Sequence, residues 1–184
     1  MIVNFIRHGL TVGNEMKRYI GRTDEELSQR SIEIIESIEY PPCDTLIVSP
    51  MKRCIQTAGI IYPGKEYTIC SNFRECDFGD FEGKNYLELM GNILYQKWID
   101  SGGRDTFPNG ENPAEFKRRC VCAFENIISG INNDVSMVIH GGTIMSILEN
   151  LCDEKKSFYE WSVENAHGYI TEYNGEYIHI WKKF

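Results

Sequence analysis

The sequence predicts one α/β domain, a three-layer α/β/α sandwich with a mostly parallel sheet and an antiparallel hairpin at its C-terminal edge. Three observations lead to this prediction. Short β-branched runs alternate along the chain with longer segments of helical periodicity, as in parallel strands joined by helical crossovers. The short runs are almost continuously apolar, which indicates strands covered by helices on both faces. The length of 184 residues suits a single domain over residues 1–184.

The predicted elements follow from these patterns in chain order. Apolar runs rich in β-branched residues predict strands at residues 2–6, 45–48, 67–70 and 135–139. Helical spacing of apolar residues predicts helices at residues 26–37, 51–61, 86–99, 113–129 and 143–151. Gly102-Gly103 and Pro108-Asn109-Gly110 indicate a surface loop at residues 101–112. Residues 168–173 and 177–181 flank Asn174-Gly175, a dipeptide that favours the turn of a β-hairpin.

Composition excludes several classes of protein. A hydrophobic fraction of 42% with 25% charged residues is ordinary for a soluble domain, and no apolar run reaches membrane-spanning length. The formal net charge of −8 disfavours nucleic acid and anionic membranes as partners, because both attract basic surfaces. An anionic small molecule would therefore have to be attracted by local positive charge. Composition leaves the oligomeric state open, and a homodimer is one alternative.

The N-terminus and the cysteines indicate the compartment. The first residues have no basic leader before their brief apolar stretch, so they do not form a secretory signal, and we expect a cytoplasmic protein. The seven cysteines include no CxxC pair and no zinc-type spacing. We expect buried, reduced thiols, since a disulfide framework needs an oxidising compartment.

Two predicted strands end alike, each in a histidine. The strand at 2–6 continues into Arg7-His8-Gly9, and the strand at 135–139 continues into His140-Gly141-Gly142. Ligands of open α/β sheets collect beyond the carboxyl ends of the strands, where helix N-termini present free N–H groups to anions. Either histidine alone is most simply a hydrogen-bonded turn residue. Two of them at one sheet edge indicate a functional site.

Arginines near the same edge indicate an anionic ligand. A third strand ends in Ser49-Pro50, where Ser49 can cap a helix and Pro50 suits its first position. Arg53 then lies in the first turn, where the helix dipole favours negative charge and a cation needs an anionic partner. Arg7 and Arg53 could together clamp a phosphate through bidentate hydrogen bonds. The alternative is that Arg53 is an exposed helical arginine.

A carboxylate-rich segment follows the third predicted strand. Residues 73–83 are unusually rich in aromatic residues and glycine for a surface loop. Glu75 is the first candidate for a general acid, because a departing ester oxygen must be protonated. Asp77, Asp80 and Glu82 are interpreted as solvated or capping carboxylates.

These residues carry a resemblance to a known family. The chain resembles the histidine phosphatase superfamily, also called phosphoglycerate mutase-like, from residue 1 to about Thr171. Within it, the chain is similar to the short bacterial branch that includes α-ribazole phosphatase, and the stretch Glu164-Asn165-Ala166 is similar too. The motifs that agree in order and spacing are Arg7-His8-Gly9-Leu10-Thr11 with Asn14, Ser49-Pro50 with Arg53, Arg74-Glu75 with Phe78-Gly79, and His140-Gly141-Gly142.

The resemblance implies a phosphomonoesterase that needs no metal or cofactor, acts on a small phosphorylated metabolite and releases inorganic phosphate. α-Ribazole 5′-phosphate is one candidate substrate. In such an enzyme His8 would be the nucleophile that forms a phosphohistidine, and Glu75 would be the proton donor. The phosphoryl oxygens would be held by Arg7, Arg53 and His140. Further substrate contacts are implied for Asn14, Gly21, Arg22, Glu111 and Gly141.

Three alternatives remain open at the level of sequence. A phosphoglycerate mutase would return the phosphate to a second oxygen of the same intermediate instead of releasing it to water. A non-catalytic protein that binds a phosphorylated ligand or acts as a scaffold could use the same fold. Metal binding by His8 and His140 is disfavoured, because no carboxylate or thiolate ligands lie near them in sequence.

Overall fold

The computed structural model describes all 184 residues and contains one six-stranded sheet. The strands are β1 (Ile2–Arg7), β2 (Thr45–Val48), β3 (Thr68–Ile69), β4 (Val135–Ile139), β5 (Gly168–Tyr173) and β6 (Ile178–Lys183). Their order in the sheet is β3-β2-β4-β1-β5-β6. The pairs β3-β2, β2-β4 and β4-β1 are parallel, whereas β1-β5 and β5-β6 are antiparallel. The predicted mostly parallel sheet with an antiparallel C-terminal edge is confirmed.

Helices cover both faces of this sheet. Side chains of a strand alternate between the two faces, and here both sets are buried: Phe5 lies in the larger apolar core and Ile6 in the smaller one. The smaller core includes residues of α3, which contacts α2, and the larger core includes residues of α5 and α6. The helices are α1 (Val12–Glu15), α2 (Gln29–Glu36), α3 (Lys52–Ile61), α4 (Ile93–Asp100), α5 (Pro113–Ile128) and α6 (Gly141–Leu151).

Two predicted helices are shorter than expected. The helix predicted at 86–99 is helical only in α4, because Asn92 caps it by accepting the N–H groups of Leu94 and Tyr95, and residues 86–91 form turns. Of the apolar side chains in the first half of this segment, Tyr86, Leu87 and Met90 are exposed, whereas Leu89 is buried in the larger core from within a turn. The helix predicted at 26–37 begins only at Gln29. No helix has both the length and the apolar character needed to cross a membrane.

The start of α3 differs from the prediction. Met51 is the N-cap and Lys52 the first helical residue, so Ser49 and Pro50 precede the helix and Ser49 does not cap it. Ser49 is buried, and its hydroxyl instead contacts the His140 ring. The placement of Arg53 in the first turn of α3 is confirmed.

All seven cysteines are free. The prediction of buried thiols holds for four of them and is wrong for Cys122, which is exposed on α5, while Cys43 and Cys70 are half-buried. The buried thiols are Cys54, Cys76, Cys120 and Cys152.

Candidate active site

His8 lies directly after β1 and is buried, with 3% of its surface exposed. Its backbone N–H donates to the carbonyl of Ile139 at 2.9 Å, which attaches it to the end of the neighbouring strand β4. Its ring Nδ1 lies 2.6 Å from the carbonyl oxygen of Gly9. Because a carbonyl only accepts, Nδ1 carries the proton and Nε2 keeps its lone pair.

The His8 ring is held in its neutral form. Burial, reinforced by the charges of Arg53 and Arg7, places the pKa of His8 well below its usual value. A neutral ring with an unprotonated Nε2 is the form in which histidine acts as a nucleophile.

His140 lies beside His8 at the end of β4, and the two ring centroids are 5.1 Å apart. The two histidines are therefore together at one sheet edge, as their positions after parallel strands predict. His140 is fully buried, and its Nε2 lies 2.7 Å from the hydroxyl of Ser49. Burial and then the charge of Arg53 lower its pKa well below the usual value.

Two arginines at this edge lack carboxylate partners. Arg53 is fully buried, and its guanidinium donates to the backbone carbonyls of Thr23 at 2.8 Å and Gly21 at 2.9 Å. The Arg7 guanidinium donates to the carbonyl of Val163 at 2.7 Å. Neither forms an ion pair, and the Nε–H of each has no acceptor. Burial lowers the pKa of Arg7.

Unpaired buried cations are costly, so such groups are normally balanced by an anion. The two free Nε–H groups and the neutral His8 ring therefore define a site for an anion. The first turn of α6 adds to this site, because N–H groups at a helix start have no partner within the helix. A side chain at Gly141 would come within 3.2 Å of the Arg7 guanidinium, so glycine lets the guanidinium lie against the helix start.

Glu75 borders the same site from the loop after β3. One carboxylate oxygen accepts the N–H of Cys76 at 2.9 Å, and the other accepts the N–H of Gly142 at 3.0 Å. Burial raises the pKa of Glu75 despite these two bonds. A carboxyl group with a raised pKa can hold a proton closer to neutral pH, as a general acid must.

Asn14 presents a free amide donor. Its Oδ1 accepts the N–H of Thr11 at 3.2 Å and the side-chain amide of Asn165 at 3.3 Å, while its Nδ2 has no protein acceptor. The orientation of the amide is thus fixed with its N–H₂ group available. Asn165 also donates to the carbonyls of His8 and Gly9, which makes it a positioning residue for the His8 segment.

Gly21 and Arg22, expected as substrate contacts, belong to a loop with a structural function. The carbonyl of Gly21 binds Arg53, and its N–H donates to Glu82 at 3.0 Å. A side chain at Gly21 would overlap the carbonyl oxygen of Cys76. Glu82 also accepts the N–H of Arg22 and the hydroxyl of Thr23, so it organises this loop and is not a solvated carboxylate.

Glu111 and the side chain of Arg22 line a cavity of about 510 Å³ beside Glu75. The Glu111 carboxylate forms two hydrogen bonds with the Arg119 guanidinium, at 2.9 and 2.8 Å. Glu111 is thus part of the cavity wall, with its charge already paired. Asp77 lines the same cavity and accepts the N–H of Gly79 at 2.8 Å.

Some residues of the site gave little signal in the sequence. Ser49 belongs to a motif of the resemblance, but its local pattern predicts a helix cap and not the contact with His140. The contribution of Val163 is a backbone carbonyl. Thr57 accepts the Gly9 N–H at 2.9 Å from within α3, at a position that no motif singles out. Asn165 lies in a stretch similar to the family, which was its only signal.

The structure is that of an α/β protein with an anion site beyond the carboxyl ends of its parallel strands. Comparison with known proteins identifies the family. The family model of the histidine phosphatase superfamily (branch 1) matches residues 3–182, and the chain belongs to that superfamily.

The sequence identity to individual relatives is low. A protein of Hydrogenobacter thermophilus named "Putative phosphoserine phosphatase 2" is 26% identical, with 93% of this chain and 88% of the relative covered. A broad-specificity phosphatase of Saccharomyces cerevisiae is 27% identical, with 91% of this chain and 77% of the relative covered. The crystal structure of the α-ribazole phosphatase from Shigella flexneri superposes with a TM-score of 0.87 at 21% identity, covering 100% and 96% of the two chains. At this identity the last similarity shows the fold alone.

Proposed function

We propose that the protein is a phosphatase that hydrolyses small phosphate monoesters through a phosphohistidine intermediate on His8. One observation carries the proposal: the buried Arg53 and the half-buried Arg7, neither with a carboxylate partner, flank a buried, neutral histidine. This arrangement is complementary to a phosphoryl group, for which catalysis is mainly positioning and stabilisation of charge on the equatorial oxygens. The family, and relatives named as phosphatases, support phosphatase activity.

In the first step, the phosphoryl group is held by the guanidiniums of Arg7 and Arg53, by His140 and by the free amide of Asn14. The lone pair on Nε2 of His8 attacks phosphorus, a P–N bond forms, and the bond between phosphorus and the ester oxygen breaks. Glu75 gives its proton to the departing oxygen, and an alcohol leaves.

In the second step, the same groups act in reverse. Glu75, now a carboxylate, takes a proton from water while the water oxygen attacks phosphorus. The P–N bond breaks, its electron pair returns to Nε2 of His8, and inorganic phosphate is released. Glu75 ends the cycle protonated, as it began.

The positive charge in this scheme comes from the protein itself. Two guanidiniums and the start of α6 face the phosphoryl oxygens, and they supply the stabilisation that a divalent cation supplies in other phosphatases. The proposed activity therefore requires no metal and no cofactor.

The proposed substrate is a small phosphorylated metabolite, and α-ribazole 5′-phosphate is one candidate among several. A screen should place α-ribazole 5′-phosphate, phosphosugars, phosphoserine and phosphoglycerates side by side. Isomerisation of 3-phosphoglycerate without phosphate release would indicate a mutase instead. Binding of phosphorylated ligands without turnover of any would indicate a non-catalytic phosphate-binding protein.

The test of the mechanism is the His8→Ala variant together with trapping of the intermediate. We expect His8→Ala to lose turnover and to keep its circular dichroism spectrum, since His8 lies at a strand end outside the apolar cores. Wild-type protein quenched during turnover of ³²P-labelled substrate should carry an acid-labile, base-stable label.

The matched control is His179→Ala, because His179 is exposed and pairs with Asp153 away from the site. It should keep both turnover and label. Turnover by His8→Ala at the wild-type rate would refute the mechanism.

A further inference from the structure

The cavity beside Glu75 is where the part of a substrate beyond the phosphate would lie. Of the nine residues that line it, only Met51 is hydrophobic. Seven of the nine carry charged or amide side chains, which offer hydrogen-bonding partners to a polar or charged leaving group.

Most charges in this cavity cancel in pairs. Arg119 forms two hydrogen bonds with Glu111, and it also donates to the backbone carbonyls of Asn72 and Arg74. Arg22 lies 3.4 Å from Asp77. These two arginines and two carboxylates together contribute no net charge.

Arg74 is the cation that remains. It lines the cavity, and its side chain is exposed and donates to no protein acceptor. Arg74 directly precedes Glu75 in the chain, so it lies in the same loop as the proposed proton donor. When Glu75 holds its proton, the cavity carries one uncompensated positive charge, that of Arg74.

We propose that Arg74 binds a second anionic group of the substrate, so that the preferred substrates are phosphate monoesters that also carry a carboxylate or a second phosphate. This inference rests on the proposed phosphatase function and specifies its substrate class. Arg22 assists, because its ion pair with Asp77 is long and exposed and can exchange for a ligand anion at little cost.

The test compares substrates that differ in one anionic group. 3-Phosphoglycerate carries a carboxylate where glycerol 3-phosphate carries a hydroxymethyl group, and phosphoserine carries one where phosphoethanolamine carries hydrogen. Fructose 1,6-bisphosphate and fructose 6-phosphate differ by a second phosphate, so the arms separate the two kinds of anion. The ratio of kcat/KM within each pair is the readout, since it cancels any general loss of activity.

We expect wild type to favour the more anionic member of at least one pair, and Arg74→Ala to lower that ratio about 10- to 140-fold, the contribution of one hydrogen bond to a charged group. Arg74→Lys should restore part of the ratio, because it keeps the charge but not the planar fork. Arg118→Ala is the matched control, since Arg118 is exposed on α5 and does not line the cavity, and its ratio should equal that of wild type.

Equal ratios in wild type and Arg74→Ala for all three pairs would overturn the inference, while turnover of nitrophenyl phosphate would leave the phosphatase function standing. If the protein turns over none of these esters, calorimetry measures the binding of the same three pairs of compounds and tests the subsite at Arg74. Binding that depends on Arg74 would then support the anion subsite although the proposed function had failed, and binding independent of Arg74 would overturn the subsite as well.

Discussion

Replacing Glu75 by glutamine removes the proposed proton donor with little change in size. Each oxygen of the Glu75 carboxylate accepts one backbone N–H, that of Cys76 at 2.9 Å and that of Gly142 at 3.0 Å. Glutamine offers one carbonyl oxygen, so one of these N–H groups faces an amide N–H₂ and loses its acceptor. The unmade bond lowers the free energy of unfolding by about 1–3 kcal/mol.

The catalytic loss depends on the leaving group, whereas the loss of stability does not. A positioned general acid contributes on the order of 10²–10⁴-fold, which is about 2.7–5.4 kcal/mol of activation free energy at 1.36 kcal/mol per factor of ten. An alkoxide is strongly basic and leaves only with a proton, whereas nitrophenolate leaves almost unaided. Glu75→Gln should therefore lose about 10²–10⁴-fold on an alkyl phosphate and far less on nitrophenyl phosphate.

The assay measures kcat/KM for both esters in wild type and in Glu75→Gln as a function of pH. Because Glu75 must be protonated, kcat/KM of wild type should fall on the alkaline side of the pH profile. Burial raises the pKa of Glu75, so this fall should occur above the ordinary range of a glutamate. The variant should not show this alkaline fall. Asp77→Asn is the control, since it keeps an oxygen for the Gly79 N–H and should leave the ratio between the two esters unchanged. Equal losses on both esters in Glu75→Gln would refute the general-acid assignment and leave Glu75 a structural role.

Three further predictions follow from the geometry. Activity should survive EDTA, because the proposed mechanism neutralises the phosphoryl group with the guanidiniums of Arg7 and Arg53; activity lost to EDTA and restored by a divalent metal would contradict this. Gly21→Ala should lower stability by about 1–3 kcal/mol through overlap with the Cys76 carbonyl, whereas Gly59→Ala, with nothing nearby, should not; urea unfolding measures both. The free energy of unfolding should be greatest above the ordinary histidine pKa of 6.5. It should fall as pH drops below that value, by up to about 1.4 kcal/mol per unit for each of His8 and His140, because the unfolded chain binds protons that the buried rings do not; a flat profile in urea unfolding would contradict it.

Much of the fold and part of the site could be predicted from local sequence. β-branched runs and helical spacing gave the parallel strands and the crossover helices, since both depend on the burial of regularly spaced apolar side chains. The positions of His8 and His140 after two such strands were sufficient to place them at one edge. The helix predicted at 86–99 was wrong in its first half, because Asn92 caps the helix so that it begins at Ile93, and the preceding turns bury Leu89 while Met90 stays exposed.

The remaining contacts depend on segments that are distant in the chain. β1 lies between β4 and β5, and this order brings Asn165 beneath the His8 backbone and the Val163 carbonyl to Arg7. The ion pairs in the cavity, which leave Arg74 without a partner, likewise depend on loops whose positions cannot be predicted from local periodicity. The sequence by itself therefore determined which residue types stand at the ends of which strands. Only the tertiary structure decided which polar groups satisfy one another and which stay free for a ligand, because hydrogen-bond partners are set by three-dimensional packing and not by spacing along the chain.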